Sequence, residues 1–200
     1  MTFSSKTDWY IPAGLIALSF VPIAAGTFRL VQLGSGAEIT PDNARFFAAP
    51  LPVILHIVSS TIYCTIGAFQ FTPSFRHRKP NWHRVAGRTL ILCGLVAALT
   101  GLWMTQFYQT KNYPPVNFDG PALYAMRLLI GSAMAFFICL GFAAILKRDI
   151  QNHRVWMMRG YALGLGAGTQ VFTHIPMFLF QAYEGNLQGH YVWVRDGLST

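Results

Sequence analysis

Five stretches of the chain, at about residues 11–33, 51–71, 85–107, 122–146 and 155–180, run for some twenty residues or more with almost no charge. A helix rises about 1.5 Å per residue, so each stretch is long enough to cross a hydrocarbon core about 30 Å thick. Lipid offers no hydrogen-bond partner to a bare backbone, which leaves helices as the spanning structure for runs of this length. The expected fold is all-α: residues 1–200 form a single transmembrane domain, a polytopic helical bundle of about five spans. The first run exceeds the apolar core of about 7–15 residues found in a secretory signal, and only Lys6 precedes it, so it reads as an uncleaved span.

Charge then orients the bundle. Only 11% of residues are charged, against about 25% in soluble domains, and the net charge of +8 is carried at the ends of the apolar runs. The N-terminus, the 72–88 loop and the 147–159 connector hold ten of the fifteen Lys and Arg, with only Asp8 and Asp149 of the seven acids. The positive-inside bias predicts a bacterial inner-membrane protein with a cytoplasmic N-terminus and an external C-terminus. Its basic inner face is expected to meet anionic lipid. A nucleic-acid partner is not expected, because no polar, basic domain surface is present. Cys64, Cys93 and Cys139 lie within apolar runs at no metal-ligand or disulfide spacing.

Ionisable groups within a span are costly, and so become candidates for function. In the outer half these are Arg29, His56, Arg127 and His174. His56 and His174 lie at similar depths on helices two and five. Two facing imidazoles with nearby guanidiniums suit a b-type haem: histidine nitrogens for the iron, Arg29 and Arg127 for the propionates. At the inner end, His83, Arg84, Arg88, His153, Arg154 and Arg159 fall just before or at the start of helices three and five, with Gln70 closing helix two. This second cluster suits lipid phosphate, a metal or second haem held by both histidines, or a quinone at Gln70 and His83. Gly87, Gly94 and Gly101, and Gly160, Gly164 and Gly168, mark close helix contacts. No zincin, Walker, nucleophile-elbow or dinucleotide motif assigns an enzymatic reaction.

The strings P-L-P-V-I-L-H-I (50–57), G-A-F-Q-F (67–71), W-H-R-V-A-G-R (82–88), G-L-W-M-T (101–105) and H-R-V-W-M-M-R-G-Y (153–161) carry a resemblance. Together they resemble a family of bacterial integral membrane proteins whose domain is of unknown function. The resemblance spans about residues 29–180 and implies a multi-helix inner-membrane protein with no established activity. It also implies that His56, Gln70, Arg76, His83, Arg84, Arg88, Arg127, His153, Arg154, Trp156 and Arg159 match family motif positions. His174 departs from the family pattern, and the family continues into a further C-terminal helix. The leading expectation is a haem-binding transmembrane redox module. The alternatives are a non-enzymatic partner subunit or homo-oligomer, a small-molecule carrier with a lipid-binding cytoplasmic face, and a quinone-binding protein.

Overall fold

The structure is a computed structural model, and it describes residues 7–40, 43–72, 76, 78–108 and 121–169. Among these there is no β-strand. The helices are α1 (Thr7–Gly34), α2 (Ala44–Ala48), α3 (Pro50–Gln70), α4 (Pro80–Phe107) and α5 (Pro121–Leu146), followed by α6, helical from residue 150 through 169. Helices α1, α3, α4 and α5 are long and apolar enough to cross a membrane. The remainder of the fifth expected span, to residue 180, lies outside the described residues.

Prolines set three of the starts. Pro50, Pro80 and Pro121 each open a helix, where the missing N–H would have had no partner and φ is already helical. The apolar pattern alone would begin the third span at Val85. The helix in fact begins at Pro80, so His83 and Arg84 stand inside its first turns. The same correction applies to His153 and Arg154, which lie within α6. Asp149 nucleates that helix: its carboxylate accepts from the Asn152 backbone N–H (3.0 Å) and side-chain amide (2.6 Å). These bonds hold its pKa below the usual carboxylate range.

Consecutive helices pack side by side, α1 on α3, α3 on α4 and α4 on α5. α6 closes the group. Its Gly160 and Gly164 lie against Ile138 and Met134 of α5, and its Tyr161 covers Gly67 of α3. The Tyr161 hydroxyl donates to the Cys64 carbonyl (2.7 Å), giving the buried phenol its partner. The core joins Tyr63, Leu90, Ala98, Met134, Ile138, Tyr161 and Leu165, contributed by four helices. Large apolar side chains such as Phe20, Phe28, Leu92, Leu99, Phe136 and Phe142 point outward. Continuous apolar exposure on that scale fits a lipid surround, not water.

The tightest meeting point is Gly94. A Cβ there would stand 2.6 Å from the Tyr63 ring and 2.7 Å from Ile138, so α3, α4 and α5 converge on this residue. At Gly87, one heptad earlier, a Cβ would meet nothing within 4 Å. Gly94→Ala is therefore expected to destabilise the bundle by about 1–3 kcal/mol, the cost of overpacking a close-packed core. Gly87→Ala is expected to be neutral or stabilising by up to about 1 kcal/mol. Thermal melts of both variants in one detergent check the contrast.

Candidate binding site at the basic end

The antiparallel order brings the end of α3, the start of α4 and the start of α6 to one end of the bundle. α3 stops at Gln70, and the chain turns through Phe71 and the buried Thr72. The Thr72 carbonyl accepts from the Arg76 backbone N–H (3.1 Å). Four residues later α4 begins, and the His83 N–H bonds the Lys79 carbonyl (3.1 Å). From α6, the His153 ring donates its Nδ1–H to the Gly141 carbonyl of α5 (2.8 Å). That bond fixes the ring between two helices and leaves Nε2 as its other face. Arg76 and His153 are near enough to act electrostatically on His83.

Three polar atoms at this end are buried and have no protein partner: Gln70 Nε2, Thr72 Oγ1 and His83 Nδ1. An unmade hydrogen bond on a buried group costs about 1–3 kcal/mol. Buried groups are otherwise nearly always paired, so three orphans at one end invite a bound group that pairs them. The amide of Gln70 donates, the hydroxyl of Thr72 donates or accepts, and the imidazole of His83 does one or the other by tautomer. Arg76, half-buried, adds a fixed positive charge. The set suits a ligand bearing carbonyl or oxyanion oxygens.

The other sequence candidates are placed as follows. Arg84, Arg88, Arg154 and Arg159 are exposed at the same end, and Arg159 stacks on the Trp156 ring at 4.7 Å. His56 stands about 21 Å from Gln70 along α3, by helical rise, and belongs to the opposite end. Its Nδ1–H donates to the Ala97 carbonyl of α4 (2.9 Å), with Thr100 Oγ1 at 3.3 Å. Gly101 makes the room, since a Cβ there would come within 3.3 Å of the His56 ring. Arg29 bonds the Gln32 side chain and lies over the Phe46 ring. Arg127 is half-buried on α5 and engaged by a neighbour. His174 lies outside the described residues. Among the described residues no group of three or more His, Cys, Asp or Glu side chains converges as a metal site would.

Sequence reasoning missed Thr72, and it had Arg76 only as a basic-loop and family-motif residue outside the candidate cluster. Neither stands in an apolar run, and only the tertiary turn after α3 buries Thr72. Pro80 was the available signal that His83 faces the bundle from within a helix.

The chain belongs to the family described as predicted membrane protein (DUF2306), whose model matches residues 53–194. No curated protein and no solved structure matches the chain. The matched segment takes in Gln70, Thr72, Arg76, His83 and His153, all of the basic-end site.

Buried polar groups without partners cost stability. Gln70→Leu, which removes an unpaired buried amide nitrogen at nearly constant volume, is expected to raise the stability of the ligand-free protein by about 1–3 kcal/mol. His153→Leu is expected to lower it by about 1 kcal/mol or more, because the tie to Gly141 is lost. Melting midpoints of delipidated protein in a single detergent measure both.

Proposed function

We propose that this member of the family binds the carbonyl-bearing head of a quinone-class molecule at its basic end. One observation carries the reading: Gln70 Nε2, Thr72 Oγ1 and His83 Nδ1 are buried without partners at one end of the bundle, where Arg76 and His153 act on His83. Quinone oxygens accept hydrogen bonds, and a neighbouring guanidinium favours the negative charge that gathers on them during reduction. A second feature agrees. An apolar groove of about 490 Å³, lined by Trp9, Pro12, Ala13, Ile16, Phe20 and Phe69 among others, runs between α1 and α3. Its α3 wall is Phe69, the residue before Gln70 in sequence, and it offers an isoprenoid tail a path along the membrane.

On the same reading the basic end faces the cytoplasm of an inner membrane, and Arg84, Arg88 and Arg154 meet anionic lipid there. A cysteine placed at 78 is then labelled from the cytoplasmic side and one at 40 from outside. Cys139 is exposed and must first be replaced.

A b-type haem is the second reading, and one observation favours it. His56 gives its Nδ1–H to a backbone carbonyl, which is how imidazole ligands of iron are commonly oriented. Arg29, Arg127 and His174 would complete the outer site named from sequence.

Titration of purified protein with a short-tailed ubiquinone analogue separates the two. The quinone reading predicts saturable binding that Gln70→Leu and His83→Leu each weaken about tenfold or more, as loss of a hydrogen bond worth about 1.4 kcal/mol or more requires. Undiminished binding in both variants would refute it. A Soret band that shifts on dithionite reduction and vanishes in His56→Ala would establish the haem reading instead.

A further inference from the structure

At the end opposite the basic site, two arginines share one aromatic ring. The guanidinium carbon of Arg29, near the end of α1, lies 4.2 Å from the Phe46 ring centroid, and that of Arg45, on α2, lies 4.8 Å from the same centroid. The platform beneath them is firmly held. Phe46 meets the Tyr108 ring edge-on at 5.3 Å, and the Tyr108 hydroxyl donates to the Ala49 carbonyl. Val53, Ile57 and Tyr108 form the buried cluster on which Phe46 packs.

Both guanidiniums have donors to spare. Arg29 bonds Gln32, and Arg45 reaches the Tyr108 carbonyl at 3.4 Å, yet Arg45 Nε is buried with no partner. The charge acting on Arg29 is another cation, Arg45 itself. Among the described residues no carboxylate pairs with either. Two like charges held together on a half-buried platform repel unless an anion bridges them, and guanidiniums bind phosphate oxygens through paired, charge-assisted bonds.

Depth and shape narrow the anion. Arg29 stands five residues, about 8 Å, before the end of α1, at the level where a bilayer's phosphates meet its hydrocarbon. At the same end lies an apolar groove of about 330 Å³ lined by Leu30, Leu33, Gly34, Phe47, Pro50 and Ile54. Leu30 adjoins Arg29 in sequence, and Phe47 adjoins Phe46. An oxyanion site next to an apolar groove at this depth has the outline of a phospholipid. We propose that Arg29 and Arg45 together bind the phosphate of one anionic phospholipid whose acyl chain occupies the Leu30–Ile54 groove. Arg29 and Arg45 precede the segment matched to the family, residues 53–194.

Native mass spectrometry of the full chain, purified in mild detergent and loaded from bicelles, tests this. Wild type is expected to retain phosphatidylglycerol at least tenfold more than phosphatidylcholine at this site. Arg29→Gln with Arg45→Gln should retain one fewer phosphatidylglycerol. Leu33→Trp, which fills the groove and leaves both arginines in place, should lose the same lipid. Should the double Gln variant fail to fold, Arg45→Lys keeps the charge, removes the fork, and is expected to weaken retention severalfold. Equal retention of the two lipids, or full retention in Leu33→Trp and Arg45→Lys, overturns the proposal. Millimolar inorganic phosphate is the last arm: if it displaces the lipid completely and Leu33→Trp binds it unchanged, the site serves free phosphate and the lipid assignment fails.

Discussion

A polar group inside a membrane has no water to fall back on, and the rest of this structure follows from that constraint. It turns the buried polar side chains into ties between helices. Tyr161 reaches the Cys64 carbonyl across α6 and α3, His56 reaches Ala97 across α3 and α4, and His153 reaches Gly141 across α6 and α5. Two of the three ties lie over a glycine that lets the ring in: Gly67 under Tyr161, Gly101 under His56. Association by close packing and association by hydrogen bonding are here the same contacts. Where lipid gives no hydrophobic drive between helices, that combination is what holds a bundle together.

The same constraint gives the exceptions their meaning. Gln70, Thr72 and His83 break the rule at one end, and Arg45 breaks it at the other. The two places differ in chemistry. The basic end gathers the donors and acceptors of Gln70, Thr72 and His83 near the half-buried Arg76 and suits oxygens of a ring. The opposite end sets two guanidiniums on one phenyl ring and suits a full negative charge.

Much of the fold was legible in the sequence because hydrocarbon thickness sets a length that apolar runs must meet. Four of the five expected spans are described as helices within a few residues of their expected limits, and residues 155–169 of the fifth are helical. The helix starts were less legible. Hydropathy begins where the chain turns apolar, whereas α4 begins at Pro80 and α6 at residue 150, through polar first turns that carry no apolar signal. α2 escaped altogether, since five residues carry no helical period. With it went Arg45 and the aromatic platform beneath it.

The candidate sites were legible as residue types but not as states. A histidine in a span reads as a candidate whether it is tied, as His56 is, or unpartnered at Nδ1, as His83 is. The difference lies in which carbonyls a neighbouring helix presents, and no spacing along one helix encodes that. The most direct measurement is an experimental density map of the basic end, from protein purified with its native lipids. The account predicts a planar ring whose oxygens lie within hydrogen-bond distance of Gln70 Nε2 and His83 Nδ1. A closed pocket, with Gln70 and His83 bonded to each other or to Thr72 and no space between them, would contradict it.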